Sequence, residues 1–295
     1  MKTLVYQSFR TKDVPTWISL CLDSVRRWAA SSGFEYRFFD DAFFDLVPSR
    51  VRGAASAYIC MLADYARLVA ARDLLKEGWD RVIWFDADAL IFAPEQFKIS
   101  VENGYAFCRE IWLDRIVLNQ PQFNLVINNA VSVFCRDQAI IDFYLSAADS
   151  ILLSGQKLKP TSIGTDFLTA LRHSHAFPLM SDVGIFGVEM SERYLKNDGR
   201  FLGRYLAYQT SPVYAINLCL SKQSAKSARG KNSSPDQGPS LITLVERLLA
   251  DEGASLNAWY EPTYSAKPTE FDHPLSLYIG ARRAFRTVLE RTLKR

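Results

Sequence analysis

Strand-like and helix-like patterns alternate over the first two thirds of this 295-residue chain. Such alternation restricts a fold to α/β architectures, in which helices cross over between strands. The opening "KTLVYQSF" reads as a strand, and "PTWISLCLDSVRRWAASSG" repeats apolar residues at helical spacing until Gly33 ends it. "FEYRFFD" then alternates aromatic and polar residues as a second strand does, which completes a βαβ opening. From Met61 to Leu75, "MLADYARLVAARDLL" is an amphipathic helix, and "EGWD" breaks it before the apolar run "RVIWFDADALIF". A further strand, "FNLVINNAVSVFCRD", precedes the helical "QAIIDFYLSAADSILL". The expected architecture is a three-layer α/β/α sandwich around a mostly parallel central sheet.

Composition changes sharply at "SKQSAKSARGKNSSPDQGPS", residues 221–240, where serine, lysine, glycine and proline displace apolar residues. That stretch reads as a flexible linker between a catalytic-size unit, 1–220, and a C-terminal helical appendage, 241–295. The appendage holds "LITLVERLLADEG" and ends in "SLYIGARRAFRTVLERTLKR", whose arginines surround Tyr278, Phe285, Val288 and Leu289 as in a basic amphipathic helix. Either that helix packs on its own domain with a solvated basic face, or it meets an anionic membrane surface. The net charge of +3 over 35 basic and 32 acidic residues gives no argument for nucleic acid. Five dispersed cysteines, Cys21, Cys60, Cys108, Cys135 and Cys219, read as reduced thiols without a disulfide framework or a zinc pattern. With no apolar run of membrane-spanning length, the expected location is cytoplasmic, peripheral at the membrane if the basic helix binds there.

Two carboxylates, Asp86 and Asp88, interrupt the apolar run 81–92. On a strand, positions i and i+2 face the same way, so the two acids would converge at the strand's carboxyl end, where open α/β sheets bind ligands. Converging carboxylates repel unless a cation lies between them, and oxygen ligands suit Mg²⁺ or Mn²⁺, which can bridge the phosphates of a nucleotide. The alternative is a pair of acids in a solvated turn.

The longer arrangement "LADYARLVAARDLLKEGWDRVIWFDADALIF" resembles the sugar-nucleotide-binding region of DXD-containing glycosyltransferases of the GT-A fold, a Rossmann-like α/β fold. In that family a helix with Asp-x-x-Arg precedes the metal-binding DxD. The resemblance runs from "VYQSFRTKDVPTW" through "NNAVSVF" to "IGTDFLTAL", about residues 1 to 220. It implies that Asp86, Ala87 and Asp88 meet the metal and the donor's diphosphate, and that Asp64 and Arg67, one helical turn apart, contact the donor's sugar or ribose. Those two also have the spacing of an ordinary i, i+3 ion pair. By the same resemblance Tyr6, Gln7 and Ser8 seat the nucleotide base, and Asn128 and Asn129 lie against the donor sugar, although strand termination and backbone-bonded amides account for the same residues. Asp166, at the start of a helix, becomes the acid at the catalytic centre, with Arg67 assisting the leaving group; helix capping explains Asp166 equally well.

Family members usually add a third metal ligand, often histidine. His173 and His175 read as an exposed strand edge and His273 as a turn, and by order along the chain the position falls at Asn217 in "YAINLCLSK", a departure from the pattern. The resemblance therefore implies a Mn²⁺- or Mg²⁺-dependent transferase using a UDP-sugar, or else a GDP-sugar, with a glycan or lipid-linked saccharide as acceptor and retention of configuration. Two rivals share parts of the pattern. A haloacid-dehalogenase-like phosphatase also places DxD after an apolar strand, but its motif continues to Thr where Leu90 stands. A noncatalytic nucleotide-sugar-binding module would keep the fold without turnover.

Overall fold

The computed structural model describes residues 1–117, 120–136, 139–219 and 238–261. In chain order the elements are β1 (Thr3–Ser8), α1 (Thr16–Ser31), β2 (Glu35–Phe39), a 3-10 turn (Asp41–Leu46), α2 (Ser49–Ala55), α3 (Ile59–Lys76), β3 (Arg81–Phe85) and β4 (Ala89–Ile91). They continue with β5 (Tyr105–Val117), β6 (Gln120–Cys135), α4 (Ile140–Leu152), α5 (Thr165–Leu171), β7 (Leu179–Met180), β8 (Val183–Ile185), α6 (Val188–Leu195), α7 (Gly199–Leu206), β9 (Ala215–Asn217) and α8 (Gly238–Ala250). Six strands form the main sheet in the order β2-β1-β3-β6-β5-β7, and β4, β9 and β8 form a second, three-stranded sheet. In the main sheet β2–β1, β1–β3 and β5–β7 are parallel, whereas β3–β6 and β6–β5 are antiparallel.

Alternating side chains build the layers. Leu4, Tyr6, Val82 and Trp84 point into an apolar cluster with Tyr65, Leu68 and Leu74 of α3 and Tyr144 and Leu145 of α4. Their neighbours Val5, Ile83 and Phe85 point the other way, onto Val25, Trp28 and Ala29 of α1. All five residues of β3 are buried, as a central strand covered by helices on both faces requires. The mixed α/β sandwich with a mostly parallel sheet is therefore the architecture that the alternation implied.

The run 81–92 departs from its expected form. It is not one strand: β3 stops at Phe85, residues 86–88 turn, and β4 begins at Ala89 in the other sheet. Ala89 N–H donates to the Asp86 carbonyl at 3.0 Å, which closes a four-residue β-turn around Ala87 and Asp88. Residues 109–117 and 120–124 lie on the paired strands β5 and β6, in which Ile111 pairs with Leu125 and Leu113 with Phe123. His173 lies in the turn after α5 rather than on a strand edge, and the His175 ring is hydrogen-bonded to the Tyr105 hydroxyl.

The α8 helix begins at Gly238, inside the stretch read as linker, and its Leu241, Leu244, Val245 and Leu248 share an apolar cluster with Trp17, Ile18 and Cys21 of α1. Residues 221–237, His273 and the basic stretch 276–295 lie outside the described residues. Four of the five cysteines are buried and Cys60 is half-buried, all as free thiols. Among the described residues no helix is long and apolar enough to cross a membrane.

Candidate functional site

The carboxyl end of β3 is where the sequence motifs meet. Arg67, in the middle of α3, directs its guanidinium at the turn: Nη1 is 2.9 Å from Asp86 Oδ1 and Nη2 is 3.1 Å from Asp64 Oδ1. Nη1 also donates to the Asn129 carbonyl at 2.8 Å, and the guanidinium carbon lies 4.8 Å from the centre of the Trp84 ring. The Trp84 indole N–H donates to the same Asp86 Oδ1 at 2.7 Å. Both donors thus converge on one oxygen of Asp86, and the other, Oδ2, is the one available to a ligand, on a side chain that is 25% exposed.

Backbone contacts hold the turn in place. Asp86 N–H donates to the Ala130 carbonyl at 2.7 Å, and the Gln7 amide donates to the Asp86 carbonyl at 3.2 Å. Gln7 is itself held by the Tyr36 hydroxyl at 3.1 Å, and the Tyr6 hydroxyl donates to the Arg67 carbonyl at 2.8 Å. Tyr6 and Gln7 are therefore fully buried braces between β1, α3 and the turn, while Ser8 is half-buried at the end of the strand. Asp88 is half-buried, and its carbonyl accepts from Leu218 N–H at 3.0 Å.

A register shift between β5 and β6 explains the two asparagines. Pairing jumps between Ala106 and Cys108, so Asn129 and Ala130 turn their carbonyls towards α3 and the β3 turn. The Asn129 amide donates to Asp64 Oδ1 at 3.0 Å. Asp64 is packed against backbone on its other side: a Cβ placed on Gly164 would stand 2.6 Å from Asp64 Oδ2. Gly164 immediately precedes α5, so the close approach ties the "SIGTDFLTAL" segment to the Asp-x-x-Arg helix. Gly164→Ala should consequently lose about 1–3 kcal/mol, the usual cost of overpacking a filled site. Urea unfolding would check this, and an unchanged midpoint would show that Asp64 can retreat freely.

Burial dominates the protonation of these acids. Asp64 is pushed up to about 6 by burial and by the nearby Asp86, against the opposing pull of Arg67 and of the Asn129 amide. Asp86 is likewise raised by burial, with Arg67 and the Trp84 N–H pulling the other way.

Sequence reasoning missed Glu110. This β5 carboxylate is fully buried, accepts from Asn128 Nδ2 at 2.7 Å and Trp112 Nε1 at 3.0 Å on Oε2, and accepts from Asn217 Nδ2 at 3.3 Å on Oε1. Burial raises it to about 7 despite those three donors. A lone acid in "CREIWL" carries no signal by itself, and its partners come from β6 and β9. The network also engages Asn128 and Asn217. Asn128 Oδ1 accepts from Ala130 N–H at 3.1 Å, and Asn217 Oδ1 accepts from Cys219 N–H at 3.0 Å, so both amides are engaged at both ends within the protein.

Asp166 stands exposed in the first turn of α5, two residues beyond Gly164. Among the described residues no group of three or more His, Cys, Asp or Glu side chains is arranged around a common metal position. Asp86 and Asp88 flank Ala87 in the turn after β3, and Mg²⁺ is commonly held by one or two carboxylates together with substrate phosphates and water.

No protein-family model matches the chain, and no curated protein matches it. Solved structures are similar to it, among them the following two. A glycosyltransferase involved in the glycosylation of the major capsid of PBCV-1 is 9% identical over 84% of this chain and 98% of that one, with a TM-score of 0.44. A197 from STIV is 11% identical over 49% of this chain and 76% of its own, with a TM-score of 0.25. At these scores neither superposition assigns a role to a residue.

Proposed function

We propose that the chain is a metal-dependent glycosyltransferase that moves a sugar from a nucleotide-sugar donor, UDP-linked in preference to GDP-linked, to a glycan or lipid-linked saccharide acceptor. The observation that carries this reading is the 2.9 Å ion pair between Arg67 and Asp86, which joins the Asp-x-x-Arg helix to the DxD turn as one rigid unit. Arg67 and Asp86 lie 19 residues apart in sequence, and a solvated turn would not require a buried arginine to hold one oxygen of its first acid.

In this reading Asp86 and Asp88 hold Mn²⁺ or Mg²⁺, which when bound stabilises the negative charge of the departing diphosphate. Arg67 acts through Asp86: it fixes Oδ1 and leaves Oδ2 to the ligand, so it is a positioning residue. Asp64 balances the Arg67 charge, and Asn129 keeps Asp64 in place. Asp166, exposed beside the Gly164 contact, is the carboxylate assigned to the sugar and acceptor. Retention of configuration rests on the resemblance of the helix and turn to retaining enzymes.

The test is a thermal-shift panel of UDP, GDP and CMP, each with and without Mn²⁺, on the wild type and on Asp88→Ala, which leaves the Arg67 pair intact. The expected result is a rise of about 2–4 °C for UDP with Mn²⁺ at roughly tenfold excess over Kd, absent without metal and absent in the variant. No metal-dependent shift with any nucleotide would sink the reading.

A further inference from the structure

Asp86 and Asp88 are held from two sides, by two different strands. Asp86 N–H donates to the Ala130 carbonyl of β6 at 2.7 Å, and the Asp88 carbonyl accepts at 3.0 Å from the N–H of Leu218, the residue after β9. An asparagine shapes the chain at each support. Asn128 Oδ1 accepts from Ala130 N–H at 3.1 Å and Asn217 Oδ1 from Cys219 N–H at 3.0 Å, so each side chain closes a small ring over its own backbone, as in an Asx turn. The second ring holds Cys219 at a φ of 54°, in the left-handed region that residues other than glycine seldom adopt.

Glu110 joins the two asparagines. Its Oε2 accepts from Asn128 Nδ2 at 2.7 Å and its Oε1 from Asn217 Nδ2 at 3.3 Å. One carboxylate oxygen therefore leads through Asn128 and Ala130 to Asp86, and every link is a hydrogen bond. The other leads through Asn217 to Leu218 and Asp88, and Asn217 also pairs with Ala89 across β4 and β9. The bond from Ala89 N–H to the Asp86 carbonyl closes the circuit. Glu110 itself is 0% exposed, so it touches no ligand. An acid is a costly way to fill a buried position. What it supplies, and an apolar side chain could not, is two acceptor oxygens at a fixed separation.

We propose that Glu110 is a positioning residue that fixes the separation of Asp86 and Asp88, so that both aspartates serve one ligand. Asn128 and Asn217 transmit the constraint, one to each aspartate. The identity of the ligand rests on the transferase reading, in which it is Mn²⁺ or Mg²⁺ with the donor's diphosphate. Groups that orient metal ligands from behind typically change metal affinity by roughly 10–100-fold.

Backbone amide exchange on the full chain, without metal or nucleotide, tests the constraint. The amides of Asp86 and Leu218 are compared with those of Val5 and Ile83 in the central sheet, which report overall unfolding. Asn217→Ala should speed exchange at Leu218 about tenfold and leave Asp86 unchanged, and Asn128→Ala should do the reverse. Glu110→Leu should speed both. Glu110→Gln should follow Asn217→Ala, because a glutamine keeps its one oxygen for the two donors at Oε2 and turns its NH₂ towards Asn217. Equal acceleration at Asp86, Leu218 and the two reference amides in every variant would reduce Glu110 to a fold-stabilising residue and overturn the proposal. A second readout is UDP binding at saturating Mn²⁺, followed by calorimetry, which should weaken about tenfold in Asn217→Ala and in Glu110→Gln. Unchanged affinity in both variants would also overturn it. Metal-dependent UDP binding that is absent even in the wild type would count against the transferase reading instead, and the exchange pattern would then decide the constraint by itself.

Discussion

Arg67→Ala should cost about 3–5 kcal/mol of folding stability at pH 8, the range found when one partner of a buried ion pair is removed. The substitution strips the charge partner from Asp64 and Asp86 together, and it removes the cation that lies over the Trp84 ring. The buried Asp64 and the half-buried Asp86 would then repel across the gap and be relieved only by taking up protons. Their folded pKa values, already raised by burial, would rise further above the unfolded ones. A group with a raised folded pKa contributes stability that is present below its unfolded pKa and is lost as pH climbs through the folded value. The deficit of the variant should accordingly shrink towards pH 5 and be largest at pH 8. Urea unfolding of both proteins at the two pH values measures this, and an equal deficit at both would mean that the two aspartates do not depend on Arg67 for their charge balance.

That dependence marks the limit of what the sequence could say. The i, i+3 spacing of Asp64 and Arg67 made an ion pair legible, and the apolar run ending in Asp86 and Asp88 marked the end of a central strand. What spacing alone could not give was burial: the pair reads equally as a surface ion pair, and only packing beneath Tyr6 and Trp84 makes it an internal one. The alternation of strands and helices was likewise legible because each layer repeats at its own period, as the opposed faces of β1 and β3 show. The β5–β6 hairpin was harder to see, since its register shift at Ala106 to Cys108 breaks the period where the asparagines lie. Asn217 was placed by chain order alone, and its neighbour in space, Glu110, is 107 residues away in sequence.

Glu110 should make the protein less stable as pH rises through neutrality. Its carboxyl is fully buried and its pKa is raised to about 7, whereas in the unfolded chain it returns to the usual glutamate value of about 4.3. The native state therefore holds a proton that the unfolded state releases between those two values, and stability falls across that window and levels off above it. Asp64, raised to about 6, acts in the same direction over a lower and overlapping window. A shift of two to three pH units corresponds to about 3 kcal/mol for a fully buried group, as an order of magnitude. Glu110→Gln should flatten the upper part of this dependence, between about pH 6 and 8, and leave the part due to Asp64. The variant should also be less stable than the wild type below pH 6. Three N–H donors converge on the two carboxylate oxygens, and a glutamine must turn its own NH₂ towards at least one of them. The protonated glutamic acid meets the same demand with a single O–H that can rotate away. Stability measured against pH for the two proteins separates these effects: parallel curves would show that Glu110 does not titrate near neutrality, and that its three donors, rather than burial, set its charge.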